Sequence, residues 1–336
     1  MMEYEGKYEL FDVEKIKTYS LDERSSQLTL ENMIELNEII KGPMFYDSPE
    51  LRDVADSIIK ARQQSKPVIL FSGAHLIKNG LSPILNDLIK KNIVTCIGTN
   101  GAFSIHDFEL AFSGKTSENV PNALKEGKFG FAEETNRYIN LALIHGNKLK
   151  LGYGEAVGRL IDGQPFPQSL TFKYPEISVL YNAYKNDIPC CVHCAIGGDI
   201  YQMTKYFDGE ALGGCSGRDF WIFAKEISKL ENGGVVLLIG SPVIGVEAIL
   251  KSFSMSANIG NSPKAHSLTT AVFDIREANI EDVKKNRKDK PSYYFRDIKS
   301  IVIRIPESFN GKGYYIKGEF EKTIPSLYKL IINKMR

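Results

Sequence analysis

Short apolar runs that end in a glycine or polar turn, alternating with segments of helical periodicity, constrain this chain more than any other feature. KPVILFSG, VTCIGTNGA, IPCCVHCAIGGD, GGVVLLIGSPV and LTTAVFDI each read as a buried strand, and LIKNGLSPILNDLIKKN, SIHDFELAFSG, SGRDFWIFAKEISKLEN and GVEAILKSFSMSANIG read as helices between them. Strand, loop, helix, strand is the grammar of a parallel sheet, because parallel neighbours need a crossover connection. The predicted class is therefore α/β, a Rossmann-like parallel sheet flanked by helices.

The remaining segments fit around that unit. SLDERSSQLTLENMIELNEII and SPELRDVADSIIKARQQ carry capping residues and helical spacing, so residues 1–65 are expected to form an N-terminal helical arm. FAEETNRYINLALIHG, GYGEAVGRLI and SVLYNAYKND read as helices, and QPFPQSLTFKYPEIS as a loop. SGRDFWIFAKEISKLEN opens at Ser216, IKSIVIRI is a candidate last strand, and TIPSLYKLIINKM a last helix. KKNRKDKPSYYFRD reads as a solvated charged loop. With no clean linker, residues 1–336 are expected to be one domain.

Composition narrows the function classes. Hydrophobic residues make up 43% and charged residues 25%, enough for a sizeable core. Forty-two basic residues against 41 acidic ones leave a net charge of +1, so the chain has no general field for nucleic acid or an anionic membrane. The start, MMEYEGKYELFDVEK, lacks a signal peptide's apolar stretch, and no window reaches the length of a spanning helix. The five cysteines, Cys96, Cys190, Cys191, Cys194 and Cys215, sit mostly in strand-like surroundings and suit free thiols in a reducing cytoplasm. In CCVHC, alternation puts Cys190 and Cys194 on one face of a strand and Cys191 and His193 on the other, a poor arrangement for zinc, so no metal is expected.

In an open parallel sheet, ligands bind beyond the carboxyl ends of the strands. Those ends carry Gly73, Ala74, His75 and Lys78 after the first run, and Asn100, Gly101, Ser104, His106 and Asp107 after the second. Gly198 and Asp199 follow the third, Gly240 and Ser241 the fourth, and Ser216 and Asp219 open a helix. Glycines let a backbone approach a ligand, and helix N-termini offer free N–H groups to polar or anionic atoms. Neither GxGxxG nor the Walker pattern GxxxxGK[ST] is present, so the pattern implies a nucleotide or other polar small molecule without choosing one. Of the histidines, His75, His106, His145, His193 and His266, the first two fall in strand-to-helix turns, where a neutral imidazole can act as a base or polarise a carbonyl. His106 is the first candidate base. His75, Lys78, Asp107 and Asp219 are candidate positioning groups, and Gly73, Ala74, Asn100, Gly101, Ser104, Gly198, Asp199, Ser216, Gly240 and Ser241 are candidate cofactor-binding residues.

FSGAHLIKNG, IVTCIGTNGAFSIHDFELAFSG, IPCCVHCAIGGD, CSGRDFWIF and GGVVLLIGSPVI, spread from Lys66 to Phe273, resemble the deoxyhypusine synthase family in their spacing. The resemblance implies a Rossmann-like sheet, NAD as cofactor, a polyamine or related amine substrate and a homotetramer. The sequence departs from that family's pattern where chemistry resides. Gly73-Ala74-His75 and Lys78-Asn79-Gly80 replace its first loop, Ile105 and His106 stand where it has paired glutamates, and no histidine follows Gly240-Ser241-Pro242. Asp199 and Asp219 both echo its aspartate loop. Its nucleophilic lysine belongs to a Trp-Gly-Lys motif; here the only tryptophan is Trp221 and no such tripeptide exists. An imine-forming step needs that lysine at the substrate carbon. The expectation is an NAD-dependent enzyme acting on an amine metabolite without aminobutyl transfer to a protein lysine. A transferase or hydrolase using another nucleotide, and a non-catalytic regulatory paralogue, are the alternatives.

Overall fold

A computed structural model of the chain describes residues 4–335 apart from residues 165, 167, 265 and 266. Its strands are β1 (Ser26–Thr29), β2 (Val68–Ser72), β3 (Cys96–Asn100), β4 (Lys115–Glu118), β5 (Cys190–His193), β6 (Gly234–Ile239), β7 (Leu268–Asp274) and β8 (Lys312–Lys317). Six of them form one sheet in the order β5-β3-β2-β6-β7-β8, and every neighbouring pair is parallel. Counted along the chain, these strands lie third, second, first, fourth, fifth, sixth, which is the Rossmann order. The order reverses between β2 and β6, so the connections leaving those two strands pass to opposite faces of the sheet, the arrangement in which a crevice is expected at the carboxyl ends.

The apolar runs form strands because both faces are covered. All residues of β2, β5, β6 and β7 are buried. One core gathers Leu70, Ile97, Val192 and Leu237 beneath the helices Pro49–Gln63, Ser82–Lys90, Gly101–Ser113 and Phe320–Met335; the other gathers Ile69, Phe71, Cys191 and Leu238 beneath Gly209–Ser228 and Ile244–Asn258. Cys190 and Cys191 fall in opposite cores, as period-two alternation requires.

β5 is an edge strand, and its outward backbone groups are satisfied by side chains of the Gly209–Ser228 helix. Ser216 Oγ donates to the Val192 carbonyl (2.8 Å) and accepts from Cys194 N–H (3.1 Å). The Asp219 carboxylate accepts from Val192 N–H (2.7 Å) and from Gly154 N–H (3.0 Å) in the first turn of the Tyr153–Ile161 helix. A Cβ at Gly154 would lie 1.6 Å from the Cys190 carbonyl oxygen, so only glycine lets that helix start against the strand. The edge is thereby closed to further strand pairing.

The structure corrects several expectations. Residues 20–41 are not one helix: 3-10 turns at Leu21–Glu23 and Leu30–Asn32 flank β1, and only Leu36–Lys41 is α-helical. β1 pairs antiparallel with β4, a tertiary contact between segments nearly ninety residues apart that no local pattern announces. IKSIVIRI is helical over Ile298–Arg304, and KGYYIK forms β8 beside β7 instead. A continuous apolar run does not distinguish a buried helix from a buried strand. The Gly209–Ser228 helix begins seven residues before Ser216, capped by Asp208, so neither Ser216 nor Asp219 stands in a first turn. Among the described residues, no helix is long and apolar enough to cross a membrane.

Candidate functional site

The crevice is built from two backbones in contact. Gly73 follows β2 and donates its N–H to the Ile239 carbonyl at 3.1 Å. A Cβ on Gly73 would lie 2.4 Å from the Gly240 carbonyl oxygen and 3.8 Å from Asn100 Nδ2. Gly240 turns with φ +59, and Phe320, at the start of the last helix, stands 3.0 Å from where its Cβ would be. The His75 ring lies 6.4 Å from that same Phe320 ring. Gly73, Asn100, His75 and Gly240 therefore converge, with Ala74 buried between Gly73 and the short helix His75–Lys78. Ser241 Oγ accepts from Gly245 N–H at 3.1 Å and caps the Ile244–Asn258 helix, whose N-terminal approach at Pro242 and Val243 is exposed.

His75 and Lys78 are exposed on the short helix that leaves β2, and this helix packs against the Gly101–Ser113 helix carrying His106. Among the described residues, no carboxylate forms an ion pair with either side chain. The charges of Glu109, Lys78, Arg24 and His75 all act on His106, which places the two turn histidines in one neighbourhood. Burial, the largest cause, pushes the His106 pKa down to about 4, so its ring is neutral at physiological pH.

A hydrogen-bonded chain runs back from His106 into the core. Its Nδ1 lies 2.7 Å from Thr116 Oγ1 on β4, and Thr116 Oγ1 lies 2.5 Å from Glu109 Oε2. The ionised carboxylate only accepts, so the single hydroxyl proton of Thr116 goes to Glu109 and His106 Nδ1 must be the donor. Nε2 then carries the lone pair. Arg24 holds Glu109 through a two-pronged pair of 2.8 and 2.6 Å, and Thr135 Oγ1 donates to it at 2.9 Å. Burial alone would raise the Glu109 pKa, but the Arg24 charge and hydrogen bonds outweigh it and hold the carboxyl below its ordinary value. Of this chain, only the i, i+3 spacing of His106 and Glu109 was visible in sequence. Arg24 and Thr116 arrive through β1 and β4.

At the next turn, Asn100 Oδ1 accepts from Phe103 N–H at 3.0 Å and caps the Gly101–Ser113 helix. A Cβ on Gly101 would lie 2.2 Å from an Asp199 carboxylate oxygen, so Asp199 rests on that helix N-terminus, where a negative charge is favourable. Tyr201 donates its hydroxyl to Asp199 at 3.1 Å, and burial raises the Asp199 pKa. Gly198 lies in the exposed loop beside it.

Four expected site residues are placed elsewhere. Asp107 is fully buried, accepts from Ser178 Oγ (2.5 Å), Val179 N–H (2.7 Å) and Leu180 N–H (3.1 Å), and so anchors the Val179–Lys185 helix. Ser104 is buried under its helix, donating to the Gly101 carbonyl at 2.7 Å and 2.8 Å from the Tyr153 hydroxyl. Ser216 and Asp219 clamp the outer edge of β5. Their hydrogen-bonding capacity is spent on structure, and none of the four faces the crevice. Of the other histidines, His145 packs its ring on Phe166, His193 ends β5 among aromatic rings, and His266 lies outside the described residues.

No family model matches the chain, and no curated protein matches it either. Solved structures do. A provisionally assigned LOR/SDH protein from Methanococcus maripaludis S2 is 14% identical, with 88% of this chain and 72% of that one covered at a TM-score of 0.50. A provisionally assigned deoxyhypusine synthase from Entamoeba histolytica is 13% identical over 95% of this chain and 97% of its own, at a TM-score of 0.49. ArgZ, an arginine dihydrolase of the cyanobacterial ornithine–ammonia cycle, is 16% identical at a TM-score of 0.45; 85% of this chain is covered, and it spans only 31% of ArgZ. Of these, the likeness at a TM-score of 0.50 carries architecture alone: the chain has a parallel α/β fold like that of the Methanococcus protein.

Proposed function

We propose that the crevice between β2 and β6 is the active site of an NAD-dependent enzyme acting on a small amine metabolite, with His106 as its base. The observation that supports this best is the chain from His106 through Thr116 to Glu109, which commits Nδ1 inward and leaves the lone pair on Nε2, on the helix that follows β3. The Gly73–Gly240 contact, too close for a Cβ, holds the two loop backbones together at the point where strand order reverses, the place where a parallel sheet of this order binds a nucleotide. The Gly73 and Gly240 turns would hold NAD, whose chemistry when bound would be that of a hydride acceptor for an amine-bearing carbon. His106 Nε2 would take the proton released from the amine nitrogen, and the imidazolium so formed would be stabilised through Thr116 by ionised Glu109. Lys78 and His75 would hold an anionic part of cofactor or substrate. An amine substrate and a homotetramer are the choices the family resemblance implies.

The replacement of the family's first cofactor loop by Gly73-Ala74-His75 and Lys78-Asn79-Gly80 favours a second reading, a transferase or hydrolase using a different nucleotide. A single experiment separates the two. Calorimetry and thermal shift with NAD, NADP, ATP and GTP are expected to show binding and a raised Tm for NAD alone, and a response only to a non-nicotinamide nucleotide would replace the first reading with the second. If NAD binds, His106→Gln should abolish NADH formation with an amine panel while leaving NAD affinity within about threefold. Because the base must be neutral, the wild-type rate should be level above pH ~5 and fall as pH drops through about 4.

A further inference from the structure

His193 closes β5 in register with Asn100 on β3, at the same carboxyl edge as the crevice but in the opposite core from His106's helix. Its ring sits in an aromatic box, 5.4 Å from Phe71, 5.3 Å from Phe223 and 6.1 Å from Phe220 between centroids. The box exists because β3 carries Gly98 between these groups: a Cβ there would lie 2.4 Å from the Phe71 ring and 2.8 Å from the Phe223 ring. Phe71 in turn packs where Gly245 lets the Ile244–Asn258 helix approach the sheet.

The two ring nitrogens are in different surroundings. Nε2 is fully buried and has no hydrogen-bond partner among the described residues. The ring's remaining access, in a residue 8% exposed, includes Nδ1. With no acceptor and no donor beside Nε2, the interaction open to it is a weak N–H contact with a neighbouring ring, which a bare lone pair cannot make. The box therefore selects the Nε2–H tautomer, and the lone pair falls on Nδ1.

We infer that His193 is an unassigned recognition residue of the crevice, offering its Nδ1 lone pair to an N–H donor of the bound ligand, an amine or a carboxamide. This rests on the reading of the crevice as the ligand site. Burial also holds the ring neutral at physiological pH, so it accepts a hydrogen bond and does not repel a cationic amine. With His106 in the other layer, the crevice then has one acceptor from each side of the sheet.

The test begins without ligand. In protein labelled with 15N-histidine at pH 7, only five histidines are present, and His193→Asn identifies the resonance by its loss. The expected state is a neutral ring with hydrogen on Nε2 and a bare Nδ1; hydrogen on Nδ1, or a charged ring, overturns the inference. Calorimetry with NAD follows. His193→Asn, whose amide oxygen approximates Nδ1, should bind within about threefold of wild type, and His193→Phe, which fills the box and removes the acceptor, should lose about tenfold. Wild-type affinity in His193→Phe overturns the inference. If the unaltered protein binds no NAD, the cofactor reading has failed instead, and the tautomer alone then judges His193.

Discussion

Two buried carboxylates, Glu109 and Asp219, have opposite fates. Glu109 lies behind the crevice with a guanidinium and two hydroxyls around it and stays ionised. Asp219 lies at the outer edge of β5 with backbone N–H groups as its partners, and burial pushes its pKa up to about 7. Both are out of water, so depth does not separate them. The difference is a countercharge: dipoles of peptide groups offset desolvation only in part, whereas Arg24 more than offsets it. The first arrangement is a fixed negative charge that can support a histidine cation. The second is a clamp that tolerates protonation.

The strongest way to break the comparison is to remove the countercharge. Arg24→Ala should leave Glu109 buried and unpaired and cost about 3–5 kcal/mol in urea unfolding; a loss below about 1 kcal/mol would mean that the pair is not buried in solution. Asp219→Asn sharpens the other side. A carboxyl whose folded pKa is raised stabilises the fold most below its unfolded value of 3.8, and that stability is lost as pH rises through about 7. Relative to wild type, the variant should therefore gain stability between pH 4 and 8, on the order of 2–4 kcal/mol, and parallel stability curves across that range would refute the protonation argument. Asp107, raised to about 6 by burial, should act in the same direction over a narrower window, seen with Asp107→Asn.

Gly73→Ala tests the Gly73–Gly240 contact. Its Cβ must displace the Gly240 carbonyl, so stability should fall by about 1–3 kcal/mol and nucleotide binding should fall with it. Unchanged binding would move the site elsewhere. The smallest effect is expected from Thr116→Val, which keeps shape but breaks the link between His106 and Glu109, at about 1 kcal/mol. Its diagnostic readout is the His106 tautomer by 15N spectroscopy, which should become mixed; a pure Nδ1–H form in the variant would show that Thr116 does not set it.

The sheet was legible because its strands are continuous apolar runs with polar turns at one end, and the residues beyond those ends did include four that come together, Gly73, His75, Asn100 and Gly240. Acidic residues misled, since Asp107 and Asp219 look the same in sequence whether they face a ligand or tie down a neighbouring segment. Ser216 misled in another way, because a serine that satisfies an edge strand from mid-helix resembles a helix cap when the helix start is misplaced by seven residues.

By itself, the sequence determined the layers: burial on both faces and the spacing of helices between strands leave a parallel α/β sheet as the consistent solution. The tertiary structure decided strand order, and with it where the crevice opens, because order depends on which crossovers go to which face. It also decided protonation and tautomer. Arg24 reaches Glu109 across 85 residues and Asp219 reaches Val192 across 27, and such long-range partners set the charge of a buried group. Electrostatic energy depends on distances in space, which the order of residues along a chain does not record.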